Sequence, residues 1–389
     1  MTIEGRDIVC LGFGEWDAEL WTNQQHLMSR LARRNRVLFL ESLGLRQPRL
    51  AGRDLRRMAR RVERAAAGAR AVDGLHVLSP LVIPIHGRPR LRTLNAGLLR
   101  AQVGRAAHSL GFERPLLWSY VPQADWLVET LEPSAIVYHC VDDIAAQKGV
   151  AAAPFREAEA HFAARADLVL ASAPALAERM RTLNEHVFYA PNVADTDRFA
   201  TALEVGPTDP AIAALPGPRI VFTGAVVATK LDLELLEGVA RARPHWSIAL
   251  VGPVGAGDPR TDISALERLP NVHLLGARPY VGLPEVLRGA DVALVPYAIN
   301  DLTRSVFPMK VYEYLAAGLP VVTTPLPALA EITGVVVAAD APATVAAVER
   351  ALAEDSPAAR RARSAAVREN SWDARLEEIG SYLSSLAHA

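Results

Sequence analysis

Short apolar runs recur along the chain, each followed by a longer stretch in which apolar residues return at helical spacing. The runs are apolar throughout rather than alternating, so the strands they form must be covered on both faces, which is the condition of parallel sheets sheathed by helices. In the first half the runs are Asp7–Gly12, Val37–Glu41, Leu75–Ser79, Leu116–Ser119, Ala135–Cys140, Leu168–Ala171 and Val187–Tyr189. A loop rich in Pro, Asp and Gly between Asp195 and Pro218 interrupts them. A second series then begins: Arg219–Thr223, Ser247–Val251, Val272–Leu274, Val292–Pro296, Val321–Thr324 and Gly334–Val337.

With 389 residues, about twice a typical domain, the pattern predicts an α/β chain of two doubly wound, Rossmann-like domains, 1–195 and 196–370, facing across a cleft. In open parallel sheets, ligands bind beyond the carboxyl ends of strands, where the strand order reverses. Functional residues are therefore expected on loops that follow strands.

Composition narrows the class. Half the residues are hydrophobic and 42 basic side chains nearly balance 43 acidic ones, which excludes a disordered, fibrous or disulfide-stapled chain. Cys10 and Cys140 each end an apolar run, which suits buried, reduced thiols in a cytoplasmic protein. The N-terminus lacks a signal peptide's features, and no apolar stretch approaches the ~20 residues of a membrane span.

Charge is unevenly distributed. Between Arg30 and Arg105 stand 18 arginines against four acids. Within this region Leu55, Met58 and Val62 recur at helical spacing among arginines, which reads as a basic amphipathic helix. Such a surface suits peripheral contact of region 30–105 with an anionic membrane, at the inner membrane face, or with an anionic acceptor; the plainer reading is a solvated helix. Nucleic acid is not expected, because no aromatic residues interleave the basic stretch. Lysine is scarce: Lys148, Lys230 and Lys310 are the only three, against 39 arginines.

Several motifs carry chemistry. Gly12-Phe13-Gly14 follows the first strand, but Asp17 stands where a dinucleotide fingerprint needs a third glycine, although Glu41 ends the second strand as that fingerprint requires. A nicotinamide enzyme is thus a weak match, and Gly12, Phe13 and Gly14 read as a close-approach loop at the cleft. Asn23 and His26 follow on the first helix and are candidates for the same cleft. Asp195-Thr196-Asp197 has the form of a metal-binding D-x-D but reads better as a turn and helix cap. The Tyr138–Cys140 run ends in Asp142-Asp143, a pair suited to orienting an acceptor hydroxyl or taking its proton. Zinc-protease, P-loop and serine-hydrolase motifs are missing, and no metal or obligatory cofactor is expected.

The densest signal is the segment Ser305 to Val322. A loop after the Val292 strand leads into a helix beginning near Pro308 and ending at Gly318. Backbone amides at that helix start, with Lys310 in its first turn, form a site for phosphate. Glu313, one turn on, is placed to accept hydrogen bonds from a ribose diol.

At this point the chain resembles the GT-B glycosyltransferases, specifically the retaining glycosyltransferase family 4 (glycosyl transferases group 1), over nearly its whole length. Four segments carry the resemblance. Glu313-Tyr-Leu-Ala-Ala-Gly-Leu-Pro-Val-Val resembles the second half of the family's E-x7-E motif. Phe222 to Lys230 resembles the glycine loop and lysine that grip the diphosphate. Pro191-Asn192-Val193-Ala194-Asp195 resembles the hinge, and Asn271 to Tyr280 resembles the strand and loop beside the base. Two positions depart: Ser305 replaces the first glutamate of E-x7-E, and Ala225 replaces an arginine often found after the loop glycine, where Lys310 supplies a second charge.

The resemblance implies transfer of a sugar, with retention, from a UDP-, GDP- or dTDP-linked donor to a glycan, glycolipid or small-molecule hydroxyl. It implies a diphosphate-binding role for Lys230, and the residue reading adds Lys310, Asp142 and Asp143 as catalytic candidates beside it. Gly224, Arg278, Tyr280, Ser305, Val306, Phe307, Pro308 and Glu313 fall at donor-binding positions. It also implies that the last helix, within 371–389, packs back on the N-terminal domain. The alternatives are an epimerase or hydrolase of sugar nucleotides, and a non-catalytic binding protein, on the same fold.

Overall fold

A computed structural model describes residues 3–18, 20–42, 63–65, 68–81, 89–147 and 149–386. The chain divides into two compact units, residues 1–191 with 376–389, and residues 192–375. The Leu55–Val62 helix expected from the sequence and Lys148 lie outside the described residues.

The first unit is built on eight strands: β1 (Asp7–Leu11), β2 (Arg36–Leu40), β3 (Arg70–Val72), β4 (Leu75–Leu78), β5 (Leu116–Ser119), β6 (Ala135–Cys140), β7 (Leu168–Ala171) and β8 (Val187–Tyr189). Their order is β3-β4-β2-β1-β5-β6-β7-β8. All neighbours are parallel except β3 and β4. The apolar runs are buried along both faces, as in Ile8–Leu11, Val37–Leu40 and Leu168–Ala171. β3 escaped the reading of apolar runs because it is a short, half-exposed edge strand. Its sign in the sequence is Asp73-Gly74, both at positive φ (47° and 85°), the turn chemistry of a tight hairpin.

The first helix, Asn23–Leu31, is buried even at its polar positions. Thr22 caps it reciprocally with Gln25. Gln24 Oε1 accepts the Phe13 amide at 3.0 Å and Gln25 Nε2 donates to the Glu15 carbonyl at 3.0 Å, so this helix braces the loop after β1. Glu41, 3% exposed, closes the same loop by accepting the Trp16 amide at 2.8 Å and the Ser79 hydroxyl. The acid that ends β2 is therefore committed inward and is not displayed to a cofactor ribose.

The second unit holds six parallel strands: β9 (Arg219–Thr223), β10 (Ser247–Val251), β11 (Val272–Leu274), β12 (Val292–Val295), β13 (Val321–Thr323) and β14 (Val335–Val337). Their order is β11-β10-β9-β12-β13-β14. The unit begins at Asn192, earlier than the expected boundary after residue 195, because its first residues bond within it. Ala194 pairs with Ser371 as a parallel bridge, its amide donates to Asn370, and Asn192 Nδ2 donates to the Phe307 carbonyl at 2.8 Å. For the same reason 371–375 stay with this unit, and the first unit takes up the last helix, Trp372–Leu386, only from residue 376. There Tyr382 lies against Phe188, ring centroids 3.9 Å apart. Asp195 precedes the helix Thr196–Ala200 and pairs with Arg198 at 3.1 Å.

Several arginines of the basic region are neutralised within the first unit. Arg34 pairs with Glu4, Arg36 with Asp7, Arg64 and Arg70 with Asp17, and Arg100 with Glu129. Among the described residues no helix is long and apolar enough to cross a membrane. Because Glu41 satisfies a buried amide and a buried hydroxyl, Glu41→Ala is expected to cost about 2 kcal/mol of unfolding free energy. Chemical denaturation checks this, and a midpoint equal to that of the wild type would show that the brace contributes nothing.

Candidate functional site

In the second sheet β9 is followed on one side by β10, and the chain returns on its other side as β12, so the strand order reverses between β9 and β12. Both strands end at the candidate site. The chain leaves β9 through Gly224, whose φ of +130° and close neighbours exclude a side chain. A Cβ there would lie 3.1 Å from Lys310 Nζ. Gly252, after β10, is as constrained, because a Cβ on it would fall 1.9 Å from the Gly224 carbonyl oxygen. Two backbones thus meet edge to edge, with the Gly224 amide donating to Val251 at 2.8 Å.

Lys310 opens the helix Lys310–Ala316. Its ammonium donates to the Tyr297 hydroxyl at 3.0 Å and lies 5.0 Å from the Phe222 ring centroid and 5.2 Å from that of Tyr297. It has no ion pair among the described residues, and a phenol oxygen and two aromatic rings flank the cation instead. Tyr314, one turn on, binds the end of β9: its hydroxyl accepts the Thr223 amide at 2.7 Å. Burial pushes the Tyr314 phenol well up, keeping it neutral in this role.

Glu313 lies between them on the helix and is 6% exposed. Burial pushes its carboxyl up to about 7; Lys310 and the Tyr280 hydroxyl restrain the rise, and Asp195 adds to it. Lys230 enters by its backbone: its carbonyl accepts the Ala298 amide at 2.9 Å, and Leu231 bridges Tyr297. The Lys230 side chain has no partner among the described residues. Asn300 ties the two loops, donating to the Thr229 carbonyl at 3.2 Å while its own oxygen accepts the Leu302 and Thr303 amides.

Other expected donor residues are placed differently. Ser305, Val306, Phe307 and Pro308 form a buried turn, with Phe307 stacked on Tyr312. The helix starts two residues later than Pro308, because the Val311 amide turns back to Pro308 and those of Tyr312 and Glu313 to Met309. Those three amides are therefore closed to a ligand. Arg278 is committed within the unit: Nε donates to Asp209 at 2.6 Å and Nη1 to the Leu275 carbonyl at 2.6 Å. The Arg278 hydrogen bond in turn holds Asp209 below the usual carboxylate range, where it caps the helix Pro210–Ala213. Tyr280 lies edge-on to Phe199, near Glu313.

In the first unit, Gly12 and Gly14 are glycines for reasons of packing. A Cβ on Gly12 would meet Phe39 at 2.4 Å, and one on Gly14 would meet Gln24 at 2.7 Å. Phe13 lies edge-on to Tyr120, which stacks on His139 at the end of β6. Asn23 and His26 are buried, His26 against Trp21. After β6, Asp143 pairs with Arg156 at 2.6 Å, and Arg156 continues at 3.3 Å to Glu159, which also binds Arg179 and the Tyr138 hydroxyl. Asp142 is half-buried beside this network. Burial pushes the neighbouring Cys140 thiol up, so it stays protonated. Among the described residues no group of three or more His, Cys, Asp or Glu side chains is placed to hold a metal ion.

Sequence reasoning missed Tyr297 and Asn300. The signal for Tyr297 is its place two residues past the end of β12, at the point where the strand order reverses.

Residues 217–354, all within the second unit, match the family described as Glycosyl transferases group 1. Over 232 residues the chain is 28% identical to TuaH of Bacillus subtilis (strain 168), named for a glycosyltransferase role in teichuronic acid biosynthesis. That match takes in 57% of this chain and 58% of TuaH, little more than half of each. Among solved structures, Anabaena Alr3699/HepE in complex with UDP and glucose superposes with a TM-score of 0.68 at 16% identity, over 98% of this chain and all of that one. The α,α-trehalose 6-phosphate synthase of Burkholderia multivorans gives 0.67 at 14% identity over 99% of both chains. The chain is an α/β protein with the fold of the GT-B glycosyltransferases it superposes on, and its similarity to the glycosyl transferases group 1 family lies in the second unit.

Proposed function

We propose that this protein transfers a glycosyl group, with retention, from a nucleoside diphosphate sugar to an acceptor hydroxyl. The observation that carries the reading is the Lys310 ammonium, held beside Gly224 by a phenol oxygen and two aromatic rings with no ion pair among the described residues, at the point where the second sheet reverses its order. A cation kept uncancelled in a half-buried site favours an anion.

In this proposal the bond between the sugar's anomeric carbon and the distal phosphate breaks with its electron pair going to phosphate oxygen, and the acceptor oxygen forms the new bond. Lys310 and Lys230 stabilise the charge that develops on the departing diphosphate. Glu313 takes the ribose hydroxyls. Acceptor recognition is assigned to the first unit, with Asp143 held by Arg156 and Asp142 receiving the acceptor proton. UDP is the first donor nucleotide to test, since HepE is named in complex with it; GDP and dTDP complete the panel. A cytoplasmic site of action, with contact between the arginine-rich segment 30–105 and an anionic membrane, belongs to the same proposal and rests on two buried free thiols and on that run of charge.

Thermal shift over the nucleotide panel tests the reading directly: at 100 times its dissociation constant a bound nucleotide stabilises by about 2.7 kcal/mol. If no nucleotide raises the melting temperature, the reading fails. Lys310→Ala is expected to lower kcat by about 100-fold, the loss typical of removing one preorganised charge stabiliser. Unchanged turnover in that variant would remove Lys310 from the chemistry.

Glu313 has a pH signature of its own. Between its ordinary value of 4.5 and about 7 the folded chain holds a proton that the unfolded chain has lost, so its contribution to stability falls as pH rises through that window. Glu313→Gln is expected to be less sensitive over the same range and more stable than the wild type at pH values above it. Melting temperatures of the two proteins against pH, parallel throughout, would contradict this.

A further inference from the structure

We propose that Tyr297 binds the donor's diphosphate directly and positions Lys310 for it. This rests on the nucleotide-sugar reading above. Tyr297 is the second residue past β12, and its buried ring is held by the backbone on both sides of the site. Its carbonyl accepts the Thr324 hydroxyl at 2.6 Å, and it bridges Leu231 as an antiparallel pair. The next residue, Ala298, donates its amide to the Lys230 carbonyl at 2.9 Å. One short segment therefore sets the backbone beside Lys230 and, through its phenol, the direction of the Lys310 ammonium.

The chemistry of the phenol suits this position. Its oxygen accepts from the ammonium, and its O–H donates to an acceptor-only group such as a phosphate oxygen. A carboxylate in its place would orient Lys310 equally well but would cancel the charge; a neutral phenol orients without cancelling. The two rings constrain the same cation from its sides, and the bare Gly224 lies 3.1 Å from Nζ at the position a Cβ would take. In this proposal the ammonium and the phenol act together on the diphosphate at the ends of β9 and β12.

The test uses the full chain, with UDP and uridine as probes in isothermal titration. Tyr297→Phe keeps the ring and removes the oxygen. UDP affinity is expected to fall by about ten-fold, the scale of one hydrogen bond to a charged group, with uridine affinity unchanged. In a Lys310→Ala background the same change should matter far less, because the two groups act as a unit. Tyr297→His, which keeps a ring with an N–H donor, is expected to bind UDP better than Tyr297→Phe, and it replaces that variant if the latter does not fold. Equal UDP affinity in wild type and Tyr297→Phe overturns the proposal. So does an equal loss for UDP and uridine, which would mark a purely structural role, or an undiminished loss in the Lys310→Ala background. A wild-type protein that binds no nucleotide of the panel overturns the donor reading itself, whereas one that binds UDP without regard to Tyr297 overturns only this assignment.

Discussion

A lysine ammonium with no ion pair among the described residues is the interaction on which the candidate site's arrangement depends. Taking a charge partly out of water is costly unless something replaces the water, and here the replacement is the Tyr297 phenol oxygen and the flanking aromatic rings. That solution demands space, which explains the two glycines: Gly224 lets the ammonium approach the backbone, and Gly252 lets a second backbone approach Gly224. Tyr314 then fixes the helix that carries Lys310 to the end of β9. Glu313 completes the logic. It lies close enough to Lys310 to feel its charge, yet burial pushes it up to about 7, so near neutral pH it only partly offsets the cation.

The first unit uses its polar residues in the opposite way. Gln24, Gln25 and Glu41 turn inward to satisfy the amides and carbonyls of the Gly12–Trp16 loop. Asp143, Arg156, Glu159 and Arg179 link into a partly buried chain of ion pairs beneath the end of β6. Removing one member of such a network strands another buried charge, so these residues are held in place by mutual need. Several described arginines of the basic region follow the same rule, with Arg34, Arg36, Arg70 and Arg100 each drawn to an acid elsewhere in the unit. What reads along the sequence as a positive surface is in part the unit's own charge balance.

Lys310 and Glu313 were legible as a pair because they share one helical turn, and helical spacing is a local property. Arg278 was not legible in its true role. Its partner Asp209 stands 69 positions away, and nothing in either neighbourhood signals the pairing. Tyr297 was overlooked for the same reason, being separated by 13 positions from the lysine it orients. The glycines of the first loop are expected from sequence to face a cleft, whereas the atoms a side chain there would meet belong to Phe39 and Gln24 of the same unit. β3 was lost because three half-exposed residues carry almost no periodic signal.

The sequence by itself determined the class of fold, the sites of most of the strands and the helical turn that carries the charged pair. These follow from periodicity and from turn and cap chemistry, which act over a few residues. The tertiary structure alone decided which polar groups face a ligand and which are consumed in bracing. A hydrogen bond or ion pair joins whatever the sheet order brings together, and that order places distant segments side by side: β9 beside β12, and the loop after β1 beside the end of β2.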